Sequence, residues 1–252
     1  MLHFDDIVFG PIQSRRLGSS LGVNLLPSKG KLCNFDCIYC ECGWNKDGAM
    51  DRTLPTLEIV RLALNEKIEA LAKEGTPVDS ITFSGNGEPT IHPDFPEIVD
   101  TVISLRDRFY PQAKVSVLSN ATMLSRKKVI AALKKVDNPI LKLDASDNAL
   151  IRLMNKPSGP YDIEDVIKGM REFDGNFILQ TMFLKSPEFD LSEPLQLERW
   201  MNVIRDLRPR EIMVYTIDRE TPDKSLEKYS VQEMKDMMKP LLDEGFSIQI
   251  RG

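Results

Sequence analysis

Residues 31–42 read KLCNFDCIYCEC, and this stretch contains all four cysteines of the 252-residue chain. Three of them, Cys33, Cys37 and Cys40, follow the spacing C-x3-C-x2-C. A disulfide framework would spread its cysteines along the chain to join distant segments, whereas these are confined to one short stretch. The clustering therefore predicts a metal or redox site on a single loop.

The ligand type narrows the kind of metal site. Thiolates are the usual ligands of iron–sulfur clusters, and a four-iron cluster with three protein thiolates keeps one iron free for another molecule. A structural zinc site is the alternative, but zinc sites favour two separated ligand pairs. The chain has no second cysteine pair, and its two histidines, His3 and His92, are distant in sequence. The spacing therefore favours an iron–sulfur cluster over zinc.

Cys42 is the fourth thiol of the stretch. If it bound the fourth iron, the cluster would be closed and the protein would be an electron carrier. Its close spacing to Cys40 makes simultaneous ligation harder, so we expect Cys42 to stay outside the cluster. It is then a bystander, a regulatory thiol or a substrate-facing residue.

Around this stretch, apolar strand-like runs alternate with longer amphipathic segments, which is typical of a parallel sheet with outer helices. The predicted strands are Leu21–Leu26, Ser80–Ser84, Lys114–Ser119, Ile140–Asp144, Phe177–Leu184, Glu211–Tyr215 and Ser247–Ile250. The predicted helices are Thr56–Glu74, Phe95–Arg108, Ser125–Lys135, Ile163–Phe173, Glu193–Leu207 and Val231–Asp243. Six or seven strands are fewer than the eight of a closed barrel. We therefore predict an α/β fold, an open partial (β/α)6 TIM-like barrel.

We expect residues 1–252 to form one domain, with a core at about 20–220 and a C-terminal helix and strand at 221–252. In such sheets the chemistry lies on loops at the carboxyl ends of the strands. Hydrophobic residues make up 42% and charged residues 28% of the chain, an ordinary globular balance. No apolar run reaches the roughly 18 residues of a membrane span, and the N-terminus lacks the pattern of a secretory signal. We therefore expect a cytoplasmic protein that does not bind membranes.

The net charge of −5, from 38 acidic and 33 basic residues, argues against broad nucleic-acid binding. The local basic runs at 126–128 and 134–135 keep a basic, nucleic-acid-binding stripe on one helix as an alternative, although such runs are usually solvated faces.

The C-x3-C-x2-C spacing, with Tyr39 directly before the third cysteine, resembles the radical S-adenosylmethionine (SAM) superfamily. The resemblance implies a [4Fe–4S] cluster on Cys33, Cys37 and Cys40, whose open iron chelates the amino and carboxylate groups of SAM. It also implies that reduction of the cluster splits the S–C bond of SAM and yields a 5′-deoxyadenosyl radical.

Two further turns are similar to motifs of this superfamily. Residues 85–89, GNGEP, follow the second predicted strand and are similar to a glycine-rich "GGE" turn that contacts the amino group of SAM. Residues 119–121, SNA, follow the third strand and are similar to a "TNG" motif near the ribose or carboxylate of SAM, with Ala121 in place of glycine. The resemblance assigns cofactor-binding roles to Tyr39, Gly85, Asn86, Gly87, Glu88, Ser119 and Asn120.

Lys142 and Asp144 alternate with apolar neighbours at the end of the fourth predicted strand. Alternation places both on one face, which we expect to be the barrel interior. Because buried charges need partners, we interpret this pair as part of the cofactor site. We also expect Thr216, Asp218 and Arg219 at the barrel mouth. Two N-terminal arginines, at 15 and 16, suit carboxylate or phosphate recognition but fit a solvated pair equally well.

Together these motifs resemble a subgroup of small single-cluster "Fe–S oxidoreductases" related to wyosine-base synthases. Unlike those synthases, the chain has no further cysteines for a second cluster, and it is acidic overall. We expect a radical SAM enzyme with an external reductant of flavodoxin or ferredoxin type and an unidentified substrate. A tRNA-modifying enzyme, a glycyl-radical activase and, from another class, a non-catalytic electron carrier are the alternatives.

Overall fold

The computed structural model describes residues 3–14, 17–48 and 52–252. Its strands are β1 (Val8–Ser14), β2 (Gly18–Val23), β3 (Ser80–Phe83), β4 (Lys114–Ser119), β5 (Asn138–Lys142), β6 (Ile178–Met182), β7 (Leu184–Ser186), β8 (Phe189–Asp190), β9 (Glu211–Tyr215), β10 (Glu227–Lys228) and β11 (Ile248–Arg251). Its α-helices are α1 (Leu57–Lys73), α2 (Phe95–Phe109), α3 (Lys127–Leu133), α4 (Asn148–Met154), α5 (Ile163–Arg171), α6 (Pro194–Leu207) and α7 (Val231–Asp243). Short 3₁₀ turns cover Asn45–Gly48, Pro89–Ile91 and Thr122–Ser125.

The main sheet has the strand order β1-β2-β3-β4-β5-β6-β9-β11. Every neighbouring pair in it is parallel except β1 with β2. The sheet curls into a half-barrel with helices outside it, so the predicted open partial barrel is confirmed. Within the described residues it has seven parallel strands, which agrees with the six or seven predicted, and an antiparallel edge strand. A small antiparallel sheet, β10-β7-β8, stands beside it.

The parallel strands are buried on both faces, as their sequences predict. All four residues of β3 and all five of β6 are buried. Helix α1 begins after Thr56, whose hydroxyl accepts a hydrogen bond from the Ile59 amide at 3.3 Å. On the inner side of the helices, Phe83 and Phe95 meet edge to face with ring centroids 5.7 Å apart.

Several predicted element bounds were wrong, and two elements were missed. The predicted strand Ile140–Asp144 is β5, which begins at Asn138 and ends at Lys142, so Asp144 lies on the loop beyond the strand. The predicted strand Phe177–Leu184 is interrupted at Phe183, whose amide donates to the Tyr215 carbonyl at 2.8 Å while the chain turns into the small sheet.

The predicted helix Ser125–Lys135 is shorter, because a 3₁₀ turn occupies 122–125 and α3 begins at Lys127. Ala121 precedes that turn with a left-handed φ of 63°. Helix α4 was not predicted, since seven residues are too few for a clear helical period. Strand β1 was also missed.

The fold brings five segments to one end of the half-barrel: the loops after β2, β3, β4 and β5, and the C-terminus of α4. In the part of the chain that the structure describes, no helix is both long and apolar enough to span a membrane.

Candidate functional site

The cysteine loop follows β2 and is held from two sides by backbone hydrogen bonds. On one side, Leu32 donates to the Asn86 carbonyl at 2.8 Å and forms a bridge with Gly87. On the other side, the Asp36 amide donates to the Asn155 carbonyl at 2.8 Å. The loop therefore has a fixed position between the turn after β3 and the C-terminus of α4.

The three cysteines of the predicted cluster lie on this loop, with Cys37 buried and Cys33 and Cys40 partly buried. Two side-chain amides reach their sulfur atoms: Asn120 Nδ2 lies 3.6 Å from Cys33 Sγ, and Asn155 Nδ2 lies 3.3 Å from Cys37 Sγ. Hydrogen bonds of this kind to cluster sulfurs tune iron–sulfur sites.

The electrostatics of these thiols fit a cationic partner. Burial, then the negative charge of Cys40, raises the pKa of Cys37 to about 11. Burial, then Glu88, raises the pKa of Cys33 well above its usual range. Thiolates in this environment need positive charge beside them, which iron supplies. No group of three His, Cys, Asp or Glu side chains within the described ranges converges on a single-ion site. A four-iron cluster instead takes each thiolate on a separate iron.

Lys31 adds a buried positive charge to the loop, and the sequence reasoning missed it. Its side chain is 2% exposed, and Nζ donates to Asp36 Oδ1 and to the Gly43 carbonyl, each at 3.1 Å. Burial lowers its pKa, but the attraction of the three cysteines and Asp36 outweighs burial and raises the pKa. Lys31 is therefore a cation at neutral pH. A lysine before a cysteine carries no sequence signal that separates it from an ordinary surface residue.

Cys42 is buried beside Cys40 and donates to the Gly85 carbonyl at 3.5 Å. Interaction with Cys42 lowers the pKa of Cys40, and interaction with Cys40, then burial, raises the pKa of Cys42. That it is not a ligand of the cluster stays a prediction.

The turn after β3 approaches the cysteine loop closely. Gly85 and Gly87 both have φ of +141°, which side chains rarely adopt. A Cβ on Gly87 would lie 1.9 Å from the Leu32 carbonyl oxygen. The Asn86 side chain is fully buried and bonds to the Phe4 backbone and the Pro27 carbonyl, away from the cysteines. Its role in the turn is structural, and direct contact with a cofactor stays a prediction.

Glu88 links the ends of β3 and β4. Its buried carboxylate accepts hydrogen bonds from the amide and hydroxyl of Thr90, from Ser119 Oγ at 2.9 Å and from the Asn120 amide at 2.6 Å. Burial raises its pKa, and these hydrogen bonds oppose the shift. The Asn120 side chain donates in turn to Asn34 Oδ1 at 2.7 Å and to Cys33 Sγ. Three predicted site residues thus form one hydrogen-bonded path to the cysteine loop.

Lys142 and Asp144 do meet, although Asp144 lies past the strand end and the argument from strand alternation was wrong for it. Lys142 Nζ is 3.4 Å from Asp144 Oδ1 and donates to Tyr215 Oη at 2.7 Å. Asp144 Oδ2 accepts from the Tyr39 hydroxyl and from Asn155 Nδ2 at 2.7 Å. Burial lowers the pKa of Lys142, but Asp144 and then Tyr215 outweigh it and raise the pKa.

The predicted mouth residues Thr216, Asp218 and Arg219 line a small cavity of about 40 Å³ together with Tyr39 and Glu41. Arg219 Nη1 lies 2.5 Å from Glu41 Oε2, so the segment after β9 is joined to the cysteine loop. The two N-terminal arginines, at 15 and 16, lie outside the described residues.

The half-barrel and its cysteine loop define a protein of the radical SAM class. The Radical SAM superfamily model matches residues 28–193, and the chain belongs to this superfamily. The family uses a [4Fe–4S] cluster and SAM.

A "UPF0026 protein" of Helicobacter pylori strain J99 is 33% identical over 223 residues, which are 87% of this chain and 68% of that protein. A "UPF0026 protein" of a second Helicobacter pylori strain is 36% identical over 183 residues, 71% of this chain and 56% of that protein. The chain thus spans little more than half the length of that relative.

Two solved structures share the fold. The SuiB protein of Streptococcus suis bound to SAM is 17% identical with a TM-score of 0.64, over 88% of this chain and 49% of that one. A structure of TYW1 with a lysine–pyruvate adduct bound is 16% identical with a TM-score of 0.63, over 90% and 74%. At these identities the likeness shows the fold alone.

Proposed function

We propose that this chain is a radical SAM enzyme whose cluster is held by Cys33, Cys37 and Cys40. The observation that carries the proposal is the cysteine loop itself, pinned by the Leu32–Gly87 bridge against a glycine turn. When bound, the reduced cluster supplies the electron that splits SAM into methionine and the 5′-deoxyadenosyl radical, which takes a hydrogen atom from a substrate.

In this proposal the chain's own residues bind and orient SAM beside the cysteine loop. The backbone of 85–87 forms the close approach, and Glu88 fixes Ser119 and Asn120 at the end of β4. Tyr39, Lys142 and Asp144 form a second polar group, in which the Tyr39 hydroxyl is held by Asp144 and Asn155 links Asp144 to Cys37. Because these polar groups are oriented by the chain, little reordering is needed when the cofactor binds.

The proposal is tested by anaerobic reconstitution with iron and sulfide, with electron paramagnetic resonance (EPR) as the readout. We expect a [4Fe–4S] signal that changes when SAM is added, and 5′-deoxyadenosine after reduction with dithionite. Cys37→Ser should lose the cluster. Cys42→Ser is the matched control and should keep it, although Cys42 is also buried on the same loop.

Absence of both the SAM-dependent change and 5′-deoxyadenosine would contradict the enzyme proposal. Loss of the cluster in Cys42→Ser would favour the electron carrier instead. The burial of Cys42 on the same loop as Cys40 is the observation that makes this second outcome worth testing.

We further propose an external one-electron reductant of flavodoxin or ferredoxin type, a single domain over 1–252 and a cytoplasmic location. Radical SAM enzymes in general need a reductant and a substrate. The substrate is not assigned. In the basic run after α3, Lys135 pairs with Asp100 at 2.7 Å and Lys134 lies over the Phe173 ring, so this run does not favour RNA as a partner.

A further inference from the structure

We propose that the buried ammonium of Lys31 raises the reduction potential of the cluster held by Cys33, Cys37 and Cys40. This inference rests on the proposed function, because it needs the cluster to be present. It assigns to Lys31 a role in how readily the enzyme accepts its electron.

The burial of Lys31 is unusual for its residue type. Lysine is almost never fully buried unless it is paired. Its side chain is 2% exposed, and the hydrogen bonds of Nζ go to one carboxylate oxygen of Asp36 and one neutral peptide oxygen of Gly43. The ammonium therefore lies inside the loop rather than on its surface.

The pairing with Asp36 does not cancel this charge at the cysteines. Asp36 is 27% exposed, so water screens its carboxylate more than the ammonium. The same Asp36 oxygen also accepts a hydrogen bond from the Asn45 amide at 2.8 Å. Nζ also spans the loop to the Gly43 carbonyl, and all three cysteines lie on the segment between Lys31 and Gly43.

Reduction adds one electron to the cluster and breaks no bond in the protein, so it adds one negative charge to a buried site. A nearby cation stabilises the more negative state more strongly, and the effect is large where water is excluded. Net charge and solvent exposure are among the factors that set cluster potentials. Lys31 should therefore raise the potential and ease electron transfer from the external reductant.

Lys142 is a second buried cation among the described residues, and its surroundings differ. Its Nζ contacts Asp144 and Tyr215, and its side chain is 15% exposed, against 2% for Lys31. For this reason the test uses Lys31.

The experiment compares the reconstituted wild type with Lys31→Met, which keeps the side-chain length without the charge, and with Lys31→Arg, which keeps the charge. Lys46→Met, an exposed lysine on the same segment, is the control. Cluster potentials are measured by EPR-monitored titration without SAM. We expect Lys31→Met to lower the equilibrium constant for one-electron reduction at least tenfold, a shift of 59 mV, while the other two variants stay within threefold of the wild type.

The iron and sulfide contents of each variant show whether it holds a cluster, and they distinguish failure of the proposed function from failure of the role of Lys31. A wild type that binds no [4Fe–4S] cluster refutes the proposed function, and the role of Lys31 falls with it. A full cluster in Lys31→Met with an unchanged potential refutes the role of Lys31 alone. If Lys31→Met does not retain the cluster, Lys31→Gln decides, because its neutral amide keeps a donor for Asp36 and the Gly43 carbonyl but removes the charge, and it should lower the potential. A potential that is unchanged or higher in Lys31→Gln would then overturn the inference.

Discussion

Asn155 contacts the cysteine loop through both its side chain and its backbone. Its side-chain nitrogen, Nδ2, lies within hydrogen-bond distance of Cys37 Sγ, Tyr39 Oη and Asp144 Oδ2. Its backbone carbonyl accepts a hydrogen bond from the Asp36 amide. The residue is fully buried. Cys37 is 118 residues away in sequence, so no local motif could connect the two before the structure.

Replacing Asn155 should destabilise the protein itself, independently of any cofactor. Asn155→Ala leaves the buried groups of Asp144 and Tyr39 without a shared partner, which costs about 1–3 kcal/mol. The free energy of unfolding is measured by urea denaturation of the cluster-free protein. Asn202→Ala, an exposed position on α6, should stay within about 0.5 kcal/mol of the wild type. Equal effects at both positions would contradict the role assigned to Asn155.

Asp137 should make stability depend on pH. It accepts hydrogen bonds from Arg106 Nη1 at 2.6 Å and from the Val115 amide at 2.9 Å. Burial raises its pKa, but these hydrogen bonds and the charge of Arg106 outweigh burial and lower the pKa below its ordinary 3.8. Since the folded pKa is lower, the stabilisation is present above pH 3.8 and is lost as the pH falls through the folded pKa.

Asp137→Asn should therefore reduce the free energy of unfolding at pH 7 by about 1–2 kcal/mol. The difference from the wild type should shrink as the pH falls to about 3. Urea denaturation at both pH values measures it. A difference that is constant with pH would mean that the carboxylate charge is not what stabilises this corner.

At the scale of elements, periodicity predicted the strands that lie inside the sheet. Their sequences are continuously apolar because both faces are covered, as in β3 and β6. The periodicity of apolar residues failed to predict elements that are held by contacts with distant segments or by single capping residues. Strand β1 contains Gly10 and Pro11, which are poor strand formers, yet its pairing with β2 holds it. Helix α4 is seven residues long and is fixed by Asp147, whose side chain accepts from the Leu150 amide.

The contact between the β3 turn and the cysteine loop can be tested with two glycines. Gly87→Ala places a Cβ against the Leu32 carbonyl, so the loop must move. Gly75 also has positive φ, at 68°, but a Cβ there meets nothing within 4 Å. Gly75→Ala should cost only the backbone strain, about 1 kcal/mol. Gly87→Ala should cost more and should also reduce iron incorporation on reconstitution by at least half.

Iron content and urea denaturation of both variants provide the measurements. If the two alanine variants incorporate iron equally, the close approach of the turn to Leu32 does not position the cysteine loop.

For the whole molecule, the sequence indicated the parts of the candidate site that are carried by local motifs, such as the spacing of the cysteines and the turn at 85–88. Lys31 and Asn155 were not indicated, since burial and contacts between distant segments decide their roles. The ion pair between Arg219 and Glu41 joins residues 178 apart. Spacing along the chain cannot reveal such a pair, although the expected position of Arg219 at the barrel mouth agrees with the cavity lining.

We expect the ion pair between Arg219 and Glu41 to limit access to the cysteine loop and to contribute little to the stability of the fold. The side chains of Arg219 and Glu41 are 58% and 35% exposed, so the pair contributes about 0–1 kcal/mol to folding. Arg219→Gln frees the segment after β9 and should speed removal of iron by a chelator about threefold or more, while the free energy of unfolding changes by less than about 1 kcal/mol.

The rate is measured by the absorbance of the iron–chelator complex under anaerobic conditions. Arg171→Gln is the matched control, because Arg171 and Asp206 form a similarly exposed pair between helices. Equal chelation rates in both variants would show that the mouth contact does not limit access.

The anchoring of the cysteine loop by Asn155 also has a consequence for biosynthesis. Cys33, Cys37 and Cys40 are synthesised more than a hundred residues before Asn155, the residue that closes the far side of their loop. At about 5–20 residues per second, the nascent chain carries exposed thiols for several seconds before their pocket can form. Iron and sulfur delivered during that interval would meet an incomplete site, so maturation must wait for the α4 segment to be synthesised and folded.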